Sequence, residues 1–189
     1  MLRSRSFALS AFAAVSLLAV SSPAEAKRCV GVTMPDEITV EGETLRLNGM
    51  GVREATIFNV NVYVAGLYVP EVSTDGAAIL ASEGTKRLVL RFVRDVDGET
   101  MAEAIQDAFG DRQAASVARL TGMLPEEIAD GSTLTFTYRE GSGLEVRIGN
   151  RVAGTVAGAG FARTFFGIWI GNRPPNRGLK RGLLGGRCG

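Results

Sequence analysis

Arg53 and Tyr63 are the side chains of this sequence best placed by type and spacing to hold a small acid. Arg53 stands in "LNGMGVREATIF" beside Leu47, Met50, Val52, Ala55 and Ile57. A guanidinium is costly to bury among such residues unless it meets an anion or several carbonyls. The stretch that follows, "NVNVYVAGLYV", reads as a strand, and alternation puts Asn59, Asn61, Tyr63, Ala65 and Leu67 on one face. Val60, Val62, Val64, Gly66 and Tyr68 take the other. Arg53 and Tyr63, with Asn61 on the same face, could clamp a carboxylate or an enolate at the mouth of an apolar slot. The same residues also fit a structural role, with Arg53 capping carbonyls or pairing with an acid, and Tyr63 packing its ring while its hydroxyl meets a carbonyl.

Other chemistry is narrowed by what the chain lacks. It has no histidine, which removes Ser-His-Asp and Cys-His nucleophile systems and every His-ligand zinc site. Gly49-Met50-Gly51 and Gly158-Ala159-Gly160 each lack the third glycine of a dinucleotide fingerprint. Asp95 to Glu99, "DVDGE", begins like a calcium loop but offers no third ligand at the required step and no closing glutamate. No metal and no cofactor are expected, and any chemistry falls to Arg, Lys, Tyr, Thr or carboxylates.

The first 26 residues carry Arg3 and Arg5, an apolar run from Phe7 to Val20 and the small-residue end Ala24-Glu25-Ala26. That is the layout of a signal peptide cleaved after Ala26, leaving 27–189 as one domain in an exported, soluble, periplasmic chain. The apolar run is short of the ~20 residues a membrane span needs, so no stable insertion is expected after cleavage. Of 21 basic and 20 acidic residues, loss of Arg3, Arg5 and Glu25 leaves nineteen of each. A chain with no excess positive charge lacks the field that nucleic-acid binding requires, and Arg173, Arg177, Lys180, Arg181 and Arg187 read as a solvated helix face with its tail. The two cysteines, Cys29 and Cys188, lie near opposite ends of the mature chain. In an oxidising compartment they invite one bond, the alternative being two free thiols at frayed ends.

The elements that must position these groups follow from periodicity. "EITVEGETLRLNG", "NVNVYVAGLYV", "KRLVLRFVRDV", "STLTFTYREG", "GLEVRIGN" and "RVAGTV" are β-branched or aromatic runs punctuated by Gly, Asn and Asp, and read as antiparallel strands. "GETMAEAIQDAFG" follows Asp97 as a helix N-cap, with Met101, Ala104, Ile105 and Ala108 on one face and Gly110 as the stop. "QAASVARLTGML" and "PEEIADG" continue the helical part, with Pro125, Glu126 and Glu127 opening a turn. "GFARTFFGIWIGNRPP" and Asn176 to Leu184 give two more helices. Strands then helices without βαβ alternation predict an α+β fold with helices laid on an antiparallel sheet.

Four blocks, "NGMGVREATIFNVNVYVAGLYVPE", "LVLRFVRDVDGETMAEAIQDAF", "GSTLTFTYREGSGLEVRIGN" and "GFARTFFGIWIGNRPPNRGLKRGLLG", resemble in order the bacterial branch of the chalcone isomerase-like family. The resemblance implies an open-faced antiparallel β-sheet covered by a layer of α-helices, with a ligand cleft between them and Arg53 at the position of the arginine that binds a chalcone's anionic oxygen in the plant enzymes. Those enzymes add a strand threonine, a tyrosine and an asparagine on the first helix, and a late-helix threonine or serine. Here Tyr63 holds the strand position, "GETMAEAIQDAF" has neither Tyr nor Asn, and the late position falls near Ala162 to Thr164. Non-catalytic plant relatives hold a fatty acid with the arginine and a strand tyrosine. By resemblance the expected partner is therefore a small amphipathic acid, fatty-acid-like, and the alternative is an isomerase, an intramolecular lyase, acting on an enone through Arg53.

Overall fold

The computed structural model describes residues 26–55 and 60–188. The leader expected over residues 1–26 thus lies outside it apart from Ala26, as do Ile57 and Asn59.

Among the described residues, eleven strands and five helices follow in the order β1 (Ala26–Cys29), β2 (Val32–Pro35), β3 (Glu37–Val40), β4 (Glu43–Ala55), β5 (Val60–Val69), α1 (Gly76–Ala81), β6 (Lys86–Phe92), β7 (Val96–Asp97), α2 (Gly98–Phe109), α3 (Ala114–Thr121), β8 (Glu127–Ile128), β9 (Thr133–Arg139), β10 (Gly143–Ile148), β11 (Arg151–Val156), α4 (Ala159–Ile170) and α5 (Arg177–Leu183). Seven of the strands form one antiparallel sheet in the order β11-β10-β9-β6-β5-β4-β3. The expected class, α+β with helices laid on an antiparallel sheet, is what the chain adopts. Asp97 caps α2 as expected, its Oδ1 accepting from the Glu99 N–H at 2.7 Å, and Gly110 ends the helix with φ 58°.

Alternation along β5 divides the core in two. Tyr63, Ala65 and Leu67 face the helices and join Phe92, Phe136, Phe165, Phe166 and Trp169 in the larger cluster. Val64 and Tyr68 face the opposite side, where they pack with Leu45, Leu47, Met50 and Val52 of β4 and with Met34 and Cys29 of the β1–β2 hairpin. Two aromatic contacts fix α4 on the sheet, Phe136 to Phe165 at 4.7 Å and Phe136 to Trp169 at 6.5 Å between ring centroids.

The glycines before Arg53 do not make a turn. They lie inside β4, and their missing side chains let α5 settle on the strand: a Cβ on Gly51 would stand 2.4 Å from the Leu179 carbonyl oxygen. Across the contact, one on Gly182 would stand 2.2 Å from that of Met50. Backbone meets backbone there. The neighbouring Asn48 is an extra residue in the β4–β5 ladder, which shifts between Leu47 and Gly49. It is buried and fully used. Its amide donates to the Ser73 and Leu183 carbonyls at 3.0 and 2.7 Å and its Oδ1 accepts from the Ser73 N–H at 2.7 Å, tying β4 to α5 and to the loop before α1.

Two assignments differ from the sequence reading. The segment after Pro125 does not start a helix; Glu127–Ile128 pairs as β8 with β7, because Ile128 is buried and this short ladder satisfies the backbone beside it. Helix α1 and the β1–β2 hairpin were not expected. The hairpin is held by the Cys29–Cys188 disulfide, with Cα atoms 5.8 Å apart and a sequence separation of 159, so the expected bond is present. No helix among the described residues is long and apolar enough to cross a membrane.

Candidate functional site

Arg53 and Tyr63 are directly paired across β4 and β5, so adjacent strands bring together what the sequence separates by ten positions. Just beyond them the ladder slips: Glu54 pairs with Asn61, and Val62 is left over as a bulge in β5. A bulge turns side chains off the regular alternation. Val62 therefore joins Tyr63 in lining the cavity between sheet and helices, while Asn61, half-buried opposite Glu54, is not among its lining residues. Asn61, the expected third contact, is thus not among the residues brought together at the cavity.

The cavity has a volume of about 540 Å³, within the range of ~300 to 1,000 Å³ typical of small-molecule sites. Sheet residues Val62, Tyr63 and Phe92 form its floor, and Met101, Ala104 and Ile105 of α2 with Ile168 and Trp169 of α4 close it from the helix side. The rim is charged. Exposed Arg94, Arg173, Asp95, Asp97 and Asp107 surround it, with half-buried Arg53 at its edge. Two of the three aspartates are already engaged with backbone N–H groups, Asp97 as the α2 cap and Asp95 accepting from Asp130 at 2.7 Å. Their charge is thereby committed to the fold. The guanidinium of Arg53 donates through Nη1 to the carbonyl of Glu54, and the Asn176 amide donates toward the same oxygen at 3.5 Å. That carbonyl contact is the structural role the sequence left open for Arg53; it uses one of five N–H donors.

Tyr63 is 5% exposed. Its hydroxyl accepts a buried hydrogen bond from Trp169 Nε1 at 2.9 Å, and its ring meets Phe92 edge-on with centroids 5.5 Å apart. Burial pushes the phenol up to about 12, against the opposing pull of the Trp169 bond and the Arg53 charge. It stays neutral at ordinary pH. A phenol that accepts from Trp169 retains its own proton as a donor, which suits it to hold an oxyanion rather than to abstract a proton.

The cavity-facing residues of α2 include neither tyrosine nor asparagine. On α4 the cavity is met by Ile168 and Trp169, one turn beyond the expected late position, and Thr164 instead bonds the Gly160 carbonyl at 3.0 Å and accepts from Gln113 at 3.3 Å. Trp169 escaped the sequence reading because an aromatic in an apolar helix is indistinguishable from core until the strand opposite is known. The Val62 bulge left no local signal.

No curated protein matches the sequence. Among solved structures, that of an Arabidopsis thaliana fatty-acid binding protein aligns with a TM-score of 0.70 at 17% identity, over 85% of this chain and 96% of that one. At such identity the likeness speaks to the fold. The family model described as chalcone isomerase-like matches residues 26–185, a span that takes in the whole sheet, the paired Arg53 and Tyr63 and every helix around the cavity. With sequence and architecture in agreement, the chain belongs to the chalcone isomerase-like family.

Proposed function

We propose that this protein binds a small amphipathic acid, fatty-acid-like, in the cavity between sheet and helices, without catalysing its conversion. The observation that carries the reading is an apolar cavity with Arg53 at its edge and Tyr63, a neutral phenol, in its wall. An alkyl chain lies against Val62, Met101, Ile105 and Ile168 while the carboxylate meets Arg53, with Tyr63 as a second donor. The structurally similar plant protein binds fatty acids, which supports the same ligand class here. An isomerase reading rests on Arg53 alone, since α2 presents only Thr100, Met101, Ala104, Ile105, Asp107 and Ala108 to the cavity. The chain is also proposed to be exported, with residues 1–26 as its leader and 27–189 as the working domain; the disulfide supports an oxidising destination.

The test is calorimetric titration of wild type and Arg53→Ala with dodecanoate and with dodecanol. A charge-assisted contact contributes about 1.5 to 3 kcal/mol, so Arg53→Ala weakens dodecanoate binding roughly tenfold to a hundredfold. Wild type should hold the alcohol about as weakly as the variant holds the acid. Equal binding of acid and alcohol to wild type makes Arg53 purely structural, and stereoselective cyclisation of a chalcone well above the background rate would replace the binder with the isomerase.

A further inference from the structure

The other face of the sheet carries an open groove of about 760 Å³, larger than the cavity beneath the helices, between the β1–β2 hairpin and strands β5, β6 and β9. Its hairpin side is apolar, with Val30 and Val32, and Val89 lies in its floor. Arg87 and Arg91 flank Val89 on the same face of β6, four residues apart and hence with Cα atoms ~13 Å apart along the strand. Each is steered by a threonine of β9 directly opposite: Arg87 Nε donates to Thr137 at 2.8 Å and Arg91 Nη1 to Thr133 at 3.0 Å. Among the described residues neither arginine forms an ion pair. The nearby Glu145 is taken up by Arg147 and Arg139, and Asp130, which borders the groove, joins neither arginine in a salt bridge. Burial holds the Arg87 guanidinium below the usual arginine range against the opposing charge of Glu145, which pairs with Arg147 and Arg139 and forms no salt bridge with Arg87.

The hairpin tip adds an independent sign. Val30 has φ 44°, a left-handed conformation rare for a β-branched residue, and it is 49% exposed at the groove. Val30 and Gly31, with φ 44° and 79°, form the two-residue turn that joins β1 to β2, and this turn holds the Val30 side chain uncovered at the groove.

We propose that this groove is a second binding site, taking a two-headed amphipathic acid such as a long-chain α,ω-dicarboxylate, with one carboxylate on Arg87, the other on Arg91 and the alkyl spacer between Val89 and the Val30–Val32 tip. Single-headed acids satisfy one guanidinium only. This separates the groove from the cavity under the helices, where one arginine marks one end.

Titration of the ¹⁵N-labelled, oxidised protein with dodecanedioate tests the proposal. Amide shifts are expected at residues 30–34 and 133–137, with dodecanoate binding there at least tenfold more weakly. Arg87→Gln and Arg91→Gln each reduce dodecanedioate affinity about tenfold or more, Lys at both positions restores part of it, and the emission response of Trp169, the sole tryptophan, to dodecanoate in the other cavity is unchanged. The proposal is overturned if dodecanedioate shifts only cavity residues, if diacid and monoacid bind the groove alike, or if the Gln variants bind the diacid as wild type does.

Discussion

On one face of the seven-stranded sheet, α2, α4 and α5 cover a broad aromatic core; on the other, a hairpin of two four-residue strands covers a smaller cluster. The helices are held by buried area. Phe136, Phe165, Phe166 and Trp169 are each at most 2% exposed and pack in contact. The hairpin is too short to be held that way, since an isolated pair of strands is marginal in water. It relies on the Cys29–Cys188 bond and on Met34, whose sulfur fills the space over Gly66 where a Cβ would come within 2.3 Å. The difference teaches that one sheet can keep one face by packing and the other by covalent closure.

Reducing the disulfide should break the comparison most. Closing a loop of 159 residues contributes up to about 5 kcal/mol in the chain-entropy account. Denaturant unfolding of oxidised and reduced protein should differ by an amount approaching that figure. Native-state hydrogen exchange should rise first at β1 and β2 while β9 and α4 stay protected. Equal acceleration on both faces would show that the hairpin does not depend specifically on its bond.

Phe165→Ala attacks the packed face instead. The ring is fully buried between Phe136, Phe166 and Trp169, and its removal should cost about 3 to 5 kcal/mol. Trp169 emission should shift as α4 loosens, with the hairpin's exchange little changed. A loss below 1 kcal/mol would mean that the helix face collapses around the gap.

The finest distinction is alkaline, because each face buries one tyrosine whose phenol is pushed up to about 12. For Tyr63 the leading cause is burial; for Tyr68, which donates to the Pro35 carbonyl at 3.0 Å, it is burial and then the charge of Asp36. Both folded values lie above the ordinary 10.0, so the fold favours the protonated form. The contribution is whole below pH 10 and is lost as pH climbs from about 10 to about 12, at ~1.4 kcal/mol per unit, about 2 to 3 kcal/mol for each residue. Tyr63→Phe and Tyr68→Phe should each flatten the fall in stability over that window by a comparable amount. A variant that leaves the slope untouched identifies a phenol that reaches solvent on ionising.

The strands and the larger helices were legible because their periods and punctuation are strong: Asp97 and Gly110 bracket α2 where a cap and a stop were expected, and Gly149-Asn150 turns β10 into β11. Arg53 and Tyr63 were legible as a pair because an arginine among apolar residues and a tyrosine on an apolar strand are each conspicuous. What the glycines do was not legible. Close approach of a helix backbone and a tight turn ask for the same residue, and only the position of α5, set by distant residues, decides between them at Gly51. The pairing of Asn61 with Glu54 was not legible for a related reason, since alternation is a local rule and the extra residue at Val62 arises from pairing between strands. The β1–β2 hairpin and the arginines opposite it carried no pattern beyond a short polar strand.

The bond between Cys29 and Cys188 also decides how the molecule bears a mechanical load. Residues outside the two cysteines can be pulled apart only against a covalent link whose Cα atoms sit 5.8 Å from one another. Tension applied through the ends therefore bypasses the hydrogen-bond ladder of the sheet and reaches neither the helix layer nor the cavity beneath it. Oxidised, the domain behaves as a short inextensible link; reduced, the same pull is transmitted to β1 and α5, and thence to the strand that carries Arg53.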